Sequence, residues 1–219
     1  VRLHTSAQSA GDLYINATTD GAVDGNLSVT ASGDITQTVA LAVTGTTTLV
    51  ASGNDITLDT STNNFATVVI TSGRNVALRD AGAIILGAAT VSGTYSVTAG
   101  GAVTDSGTLL VTSDTTTISA SGHDVTLDDS SNNFADEVRI TGAAVTVVDE
   151  DAIVLGAATV SGTYSVTAGG AITDEGTQEI TGVTTLVAGS GNDITLNTST
   201  NNFAAAVVIT SGRNVAITD

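Results

Sequence analysis

The feature that most constrains this chain is an exact internal repetition. The seventeen residues from Leu86 to Ala102 recur without a change from Leu155 to Ala171, an offset of 69 residues. The same offset relates Asn63-Asn64-Phe65 to the equivalent triplets that end at Phe134 and Phe203. A chain made of near-copies folds as one stacked array. We therefore expect residues 1–219 to form a single continuous β-solenoid.

The units of this array can be placed from a diverged third copy. Val23–Ala31 is a degenerate version of Val91–Ala99. The expected units are therefore two full copies flanked by two partial ones, at approximately 1–22 (partial), 23–90, 91–159 and 160–219 (partial). Neither end carries a recognisable capping segment, so we expect further copies of the repeat in a longer parent chain.

Within each unit the apolar residues have the period of a β-strand. They occupy every second position in Tyr95-Ser96-Val97-Thr98-Ala99, and corners containing Gly33, Gly53, Gly73 and Gly101 separate such runs at intervals of about 20 to 28 residues. Coils of this length, each with two or three short strands, predict an all-β fold, a parallel β-helix of about ten coils with three coils per repeat. At about 4.8 Å per coil, the rod would be about 45 to 50 Å long.

A comparison of the copies predicts which side chains face inward. Val69, Arg139 and Val208 occupy the same position between apolar neighbours. A buried site would not accept arginine without a partner. This position is therefore expected to face solvent, and its neighbours to face the core.

Several residues are predicted to have structural roles. Asparagine tolerates left-handed backbone conformations, so the asparagine pairs should form turns, and the phenylalanine that follows each pair should fill a coil corner. The tyrosines that open the alternating strands are the other large side chains expected to be structural. The residues concerned are Asn63, Asn132, Asn201, Phe65, Phe134, Phe203, Tyr95 and Tyr164.

Composition excludes several classes of partner. The formal net charge is -17 and only five residues are basic, so the chain lacks the cationic surface that nucleic acid binding needs. No run of apolar residues approaches the 18 or so needed to span a membrane as a helix, so membrane insertion is not expected. Without cysteine there is no disulfide framework and no thiolate metal site.

The corner aspartates raise the question of calcium. Ser190-Gly191-Asn192-Asp193 is similar to part of the glycine- and aspartate-rich nonapeptide of calcium-binding β-rolls, but here the corner returns after about 20 residues, not nine. Asparagine and aspartate that bond their own backbone explain the pattern better. No cofactor is predicted, and Asp34, Asp55, Asp124 and Asp193 are retained only as weak calcium candidates.

Catalysis is not expected either. General acid–base chemistry needs unlike groups that converge in a cleft, whereas the acidic residues here are spread along the chain. His4 and His123 fall in different units, and the densest acidic run, Asp149-Glu150-Asp151, is predicted to be a solvated turn.

The repeats resemble those of giant bacterial exoproteins of the filamentous haemagglutinin type. The resemblance lies in stretches such as 47–59, 86–93 and 96–107, covers nearly the whole chain, and is weakest in the first 22 residues. It implies a right-handed β-helical shaft, secretion across the outer membrane, and a role in adhesion, aggregation or an extracellular fibre at the bacterial cell surface. It transfers no catalytic residue.

The leading prediction is thus a non-catalytic shaft segment of a long secreted bacterial surface protein. The alternative is a module that binds glycan or another rod through its surface, and a more remote alternative is a polysaccharide-active β-helix enzyme. The expected partners are further copies of the repeat, other rods through end-to-end or lateral association, and a host or matrix surface.

Overall fold

The computed structural model of the chain describes residues 3–8, 12–17 and 22–219, with side chains described from residue 22 onward. The regular secondary structure of these residues consists of 27 strands, β1 to β27, and contains no helix. The strands form two sheets that enclose one core between them. The other positions of the expected partial unit 1–22 lie outside the described residues.

Sheet 1 contains fourteen strands. They are β1 (Leu3–Gln8), β2 (Asp12–Ala17), β5 (Ile35–Gln37), β7 (Ile56–Leu58), β9 (Val76–Asp80), β11 (Tyr95–Ala99), β14 (Thr116–Ser119), β17 (Val138–Gly142), β19 (Ile153–Val160), β21 (Ile172–Asp174), β22 (Gln178–Ile180), β24 (Ile194–Leu196), β25 (Asn202–Phe203) and β27 (Val215–Ile217).

Sheet 2 contains thirteen strands. They are β3 (Ala22–Val23), β4 (Leu27–Thr30), β6 (Ala42–Val50), β8 (Asn64–Gly73), β10 (Ile84–Val91), β12 (Val103–Asp105), β13 (Leu109–Val111), β15 (Val125–Leu127), β16 (Asn133–Phe134), β18 (Val145–Asp149), β20 (Tyr164–Ala168), β23 (Thr184–Val187) and β26 (Val207–Ser211).

Strand pairing within each sheet is parallel from β2 onward, and the chain alternates between the two sheets as it climbs the rod. The predicted all-β parallel β-solenoid of about ten coils is confirmed. One pair differs: β1 lies antiparallel to β2, with Leu3 opposite Ala17. It therefore occupies the edge of β2 that a preceding parallel coil was expected to cover, and it satisfies backbone groups that an open edge would expose.

The inward and outward assignments follow the sequence pattern. Val68, Ile70, Val138 and Ile140 are buried, whereas Arg139 between the last two is exposed. The buried side chains form one continuous cluster from Leu27 to Phe203. Because a buried coil is covered above and below by its neighbours, the core can extend with the number of coils.

The expected three coils per repeat are present, and a further half coil completes each repeat. Val76, Val145 and Val215 occupy equivalent positions in successive copies, yet Val145 lies in sheet 2 and the other two lie in sheet 1. Between Val76 and Val215, sheet 1 passes through β9, β11, β14, β17, β19, β21, β24 and β27, which is seven coil steps over two repeats. Each repeat is thus rotated by half a turn relative to the previous one and advanced by about 17 Å.

Two glycines lie at an irregularity in strand pairing. The register shifts between Leu86 and Ala89 in β10 and between Leu155 and Ala158 in β19, so that Gly87 and Gly156 occupy the same place in the identical segments. A Cβ at Gly87 would lie 2.6 Å from Val69 Cγ2, and one at Gly156 would lie 2.6 Å from Arg139 Cγ. A side chain at either glycine would have to displace these neighbours. The identical segments therefore carry the same irregularity in strand pairing, one in each sheet.

The two connections between the sheets define two edges of the rod. We call the edge where the chain passes from sheet 2 to sheet 1 edge I, and the edge where it returns edge II. By chain order, β13 and β16 lie along edge I, and their equivalents β22 and β25 lie along edge II. The same piece of sequence is thus presented alternately on the two edges.

The further half coil in each repeat can be tested with two spin-labelled pairs, since the chain has no cysteine of its own. The variant Ser96→Cys/Ser165→Cys labels equivalent positions on different sheets, about 17 Å apart along the axis. The control Ser96→Cys/Thr173→Cys labels two strands of sheet 1 that are four coil steps, or about 19 Å, apart. We expect electron–electron double resonance to give the longer distance for the first pair. Its axial separation is smaller, but its two labels lie on opposite sides of the core. A shorter distance for Ser96/Ser165 would place both labels on one face and contradict the half coil.

Candidate functional site

Buried asparagine side chains tie neighbouring coils together. Asn132 Oδ1 accepts a hydrogen bond from the backbone N–H of Leu109 at 2.7 Å, and its Nδ2 donates to Asp105 Oδ2 at 2.7 Å. Asn132 is fully buried, and Asp105 is half-buried, so the clasp lies largely away from water. We call this arrangement the asparagine clasp. The other copies repeat it with Asn63 to Leu41 N–H and Gln37, and with Asn201 to Gln178 N–H and Asp174.

The phenylalanine that follows each clasp is also buried. Phe65, Phe134 and Phe203 are 0%, 2% and 7% exposed. The backbone N–H of Phe134 donates to Asp149 Oδ2 at 3.0 Å, and that of Phe203 donates to Asp219 Oδ1 at 2.8 Å. Each Asn-Asn-Phe corner is therefore held by a carboxylate fifteen or sixteen residues further along the chain.

The expectation of a solvated turn at Asp149-Glu150-Asp151 is wrong for its first residue. Asp149 is only 2% exposed, and its carboxylate accepts from the backbone N–H groups of Phe134 and Asp151. Burial raises the pKa of Asp149 to about 6, although the two backbone donors oppose this shift. Burial likewise raises the pKa of Asp80, the equivalent residue in the preceding copy. Glu150 and Asp151 are exposed, as expected.

The carboxylates of the four weak calcium candidates accept hydrogen bonds from the backbone. Asp34 accepts from the N–H of Asp55 at 2.9 Å, and Asp124 accepts from the N–H of Ala144 at 3.0 Å. Each of these bonds joins a corner to the next coil. Aspartate at a corner thus caps the neighbouring backbone, which is the role that its hydrogen-bonding geometry favours.

Two of the candidates also hold an arginine. Asp55 binds Arg74 through both carboxylate oxygens, at 2.8 and 2.9 Å, and Asp193 binds Arg213 in the same way. Arg74 lowers the pKa of Asp55, and the hydrogen bond from Arg213 lowers the pKa of Asp193 to about 2. Within the residues that the structure describes, no three acidic or histidine side chains converge to hold a metal ion.

Tyr95 and Tyr164 lie in the core, each 1% exposed. Their hydroxyl groups have no hydrogen-bond partner among the described residues, and burial raises the pKa of both. Their strand partners Thr116 and Thr184 also have buried, unpartnered hydroxyl groups. The tyrosine rings thus contribute apolar volume to the core, while burial of their unpartnered hydroxyl groups lowers the stability of the fold.

Two shallow hollows interrupt the surface at related places. One, of about 320 Å³, is lined by uncharged side chains that include Ala88, Thr90 and Leu110. The other, of about 120 Å³, lies around Thr159 and Glu179, the equivalents of Thr90 and Leu110 on the opposite edge. Neither hollow brings together the acid and base that hydrolysis or elimination would need.

The clasp partners and the buried carboxylates could have been recognised from the alternation of inward and outward positions along each strand. Asp105 follows Val103 at the inward position of its strand, and Asp80 follows Val76 and Leu78 in the same way. In both cases an acidic residue returns at the same inward position in the next copy, as Asp174 and Asp149. An acidic residue that repeats at an inward position predicts a satisfied buried polar group, not a solvated one.

Comparison with known proteins identifies the repeat but no relative with a described activity. A family model described as repeats of unknown function (DUF5649) matches residues 5–72, 73–141 and 142–210. These three matches have the period expected from the sequence and begin at a different point in the cycle. Neither a curated protein nor a solved structure matches the chain. In the described part of the chain there is no helix of the length and apolarity needed to cross a membrane.

The asparagine clasp can be tested in the middle copy. Asn132→Ala leaves the buried N–H of Leu109 without an acceptor and removes a donor from Asp105, so we expect a loss of about 2 to 3 kcal/mol in the unfolding free energy of this region. Hydrogen exchange of β13 and β16 measures it. Asn133→Ala is the matched control, because that side chain bonds an exposed carboxylate at the surface. Equal losses for the two variants would contradict the special role of the clasp.

Asp149 makes the stability of the middle copy dependent on pH. The folded pKa of about 6 lies above the ordinary 3.8, so the folded state binds the proton more readily than the unfolded chain. This stabilising contribution is complete below pH 3.8 and is lost as pH rises through 6. Lowering the pH from 7 to 4.5 should thus raise the local unfolding free energy by about 1 to 2 kcal/mol, allowing for solvent screening.

The measurement is hydrogen exchange of β16 and β18 at both pH values, corrected for the intrinsic exchange rate. Asp149→Asn should flatten the dependence, whereas Asp114→Asn, at an exposed corner, should leave it in place. If stability falls between pH 7 and 4.5 in the wild-type chain but not in Asp149→Asn, the contribution of Asp149 has the opposite sign to the one that its burial predicts.

Proposed function

Because the chain belongs to the family described as repeats of unknown function (DUF5649), and its repeats stack as one rod, we propose that it is a structural shaft segment. In this proposal it forms part of a long secreted bacterial surface protein and catalyses no reaction. The observation that carries the proposal is the single apolar core that runs from Leu27 to Phe203. A core of this kind supplies stiffness and length.

The number of copies of the repeat determines the length of the rod. Each added copy contributes three and a half coils, or about 17 Å, without requiring a new kind of contact. A shaft made in this way would hold distal adhesive or assembly regions at a distance fixed by the number of copies. Further copies of the repeat in the parent chain are the first partners that the proposal requires.

The chemistry of the polar residues supports a passive role. The buried side chains of Asn132 and Asp149 are bonded to backbone groups of neighbouring segments. The corner carboxylates Asp55 and Asp193 are occupied by arginine and backbone donors. These groups therefore hold coils together, and they are not arranged around a space in which a substrate could react.

The extracellular location rests on the resemblance of the repeats to filamentous-haemagglutinin-type exoproteins. One physical feature accords with it. The net charge of -17 keeps neighbouring rods apart over most of their surfaces. An adhesive role would then belong to host or matrix contacts made by the parent protein.

The second candidate is a module that binds glycan or another rod directly. The observation that favours it is the uncharged hollow around Ala88, Thr90 and Leu110. A glycan site would be expected to offer an aromatic platform, and the hollow contains no aromatic residue. The uncharged hollow therefore fits association with another rod better than it fits glycan binding.

The shaft proposal predicts that copies can be added freely. A tandem duplication of residues 73–141 should lengthen the rod by about 17 Å and leave its cross-section unchanged, as measured by small-angle X-ray scattering and by negative-stain microscopy. In the source bacterium, antibodies against this segment should label the surface of intact cells. Insertion of the same 69 residues in scrambled order is the matched control and should not extend the rod.

Two results would contradict the proposal. One is saturable binding of a purified glycan, or turnover of a polysaccharide, by the wild-type chain. The other is labelling of the segment only after the cells have been broken open. Failure of the duplicated copy alone to extend the rod would instead contradict the modular account of length.

A further inference from the structure

We propose that the corner formed by Asp124 on edge II binds an arginine side chain of a basic partner polypeptide. The corner lies between β14 in sheet 1 and β15 in sheet 2, and the Asp124 side chain is exposed there. This inference concerns a contact between the rod and a different protein. It therefore rests neither on the shaft proposal nor on association between rods.

The other two copies show what a corner of this kind binds. Asp55 accepts from Nε of Arg74 at 2.8 Å and from Nη2 at 2.9 Å. Asp193 holds Arg213 through the same atoms at the same distances. In both copies the arginine comes from the coil that follows the corner. The corner aspartate thus forms one half of a bidentate guanidinium pair, a geometry that the single ammonium of lysine does not reproduce.

The middle copy keeps the corner and lacks the arginine. Asp124 is the equivalent of Asp55 and Asp193, and Ala143 stands where those copies have arginine. Asp124 Oδ1 accepts from the N–H of Ala144 at 3.0 Å, the same backbone contact that orients Asp55. Among the described residues the Asp124 carboxylate has no other hydrogen-bond or ion-pair partner. Its guanidinium-binding side is therefore open to an arginine from another molecule.

A second unpaired carboxylate lies on the same edge. Glu179 borders the hollow of about 120 Å³ together with the hydroxyl groups of Thr159, Ser161 and Thr181, and nothing in the described part of the chain pairs with it. Its strand β22 follows β14 by three coil steps, through β17 and β19, or about 14 Å along the axis. An extended peptide covers this distance in about four residues. Two arginines four positions apart would therefore reach Asp124 and Glu179 together.

The charge of the rod favours a basic polypeptide as the occupant. Residues 91–159 contain ten acidic residues and one arginine, so their field attracts a cationic partner and repels another rod. A calcium ion prefers six to eight oxygen ligands, and within the described residues no three acidic or histidine side chains converge. One exposed ion pair binds weakly. Contacts at both Asp124 and Glu179 would make the second one intramolecular and strengthen the complex.

The test is a nuclear magnetic resonance titration of the isotope-labelled full chain. The probe is a short peptide with arginine at both ends and three small uncharged residues between them. It should shift the amide signal of Ala144, whose N–H donates to Asp124, and that of Ile180 beside Glu179. The same peptide with lysine in place of both arginines should bind more weakly by about threefold or more, because an ammonium group does not form the bidentate pair.

Two substitutions close or disable the corner without disturbing the coil. Ala143→Arg fills it from within, as arginine does in the other two copies, and Asp124→Asn removes its charge. Asparagine still accepts the backbone N–H of the next coil, as Asn75 does for Thr94. Each variant should lose the peptide-induced shift at Ala144 and bind the arginine peptide more weakly by about threefold or more. Ala143→Gln is the matched control, because its side chain extends into the corner without a guanidinium group, and it should bind like the wild type.

Three results would overturn the inference and leave the shaft proposal standing. One is a peptide that shifts only residues 128–137 and 150–151, because binding would then follow charge density and not the corner. The second is equal affinity of the arginine peptide for the wild type and Ala143→Arg. The third is a wild-type dimer in sedimentation equilibrium that Arg79→Ala abolishes. Arg79 is exposed on β9 and has no ion-pair partner in the described ranges, so a second copy would then supply the arginine.

Discussion

The structure depends on backbone hydrogen bonds that run along the rod from each coil to the next. The N–H of Ile56 donates to the carbonyl of Asn75 at 2.8 Å, and the N–H of Val125 donates to that of Ala144 at 2.9 Å. These bonds require successive strands to stack at the fixed spacing of a parallel sheet. A coil that contains extra residues must accommodate them at an edge. The short strands β13, β16, β22 and β25 and the asparagine clasps all lie in such longer edge segments.

The alternating pattern made the solenoid and its inward face predictable, because burial imposes the same period of two on every strand. Arg139 between Val138 and Ile140 was enough to orient its strand. The half-coil remainder was not predictable in this way. Both sheets impose the same alternation, so no single residue indicates which sheet it belongs to, and only the pairing around closed coils shows that Tyr95 and Tyr164 lie on different sheets.

The buried carboxylates show a different limit of sequence reasoning. Asp149 lies in the most acidic run of the chain, and its neighbours Glu150 and Asp151 are indeed exposed. The average polarity of the run concealed the inward position of its first residue. The position itself was readable, since Asp149 follows Val145 and Val147 with the period of the strand. A local strand period is therefore better evidence for burial than the charge density of a segment.

Because successive copies are related by half a turn, the residues on the two edges can change independently. A substitution in one copy alters a single edge, and the next copy can keep or change the opposite edge independently. Arg74 and Arg213 are two copies apart and belong to edge I, whereas the intervening equivalent on edge II is Ala143. The rod can thus acquire a paired arginine, a neutral face or an acidic face on one edge at a time, without disturbing the core that both edges share.

The asparagine clasps give this core a defined register. Strands of alternating valine, isoleucine and leucine would still bury apolar side chains after a slip of two residues, so apolar packing discriminates weakly between those two pairings. A slip of this size would separate Asn132 from Asp105 and from the N–H of Leu109, leaving buried polar groups unpaired at a cost of about 1 to 3 kcal/mol each. The clasp therefore penalises the slipped stack more than the hydrophobic core can. Because it recurs in every copy, a register error cannot pass from one repeat to the next without meeting this penalty again.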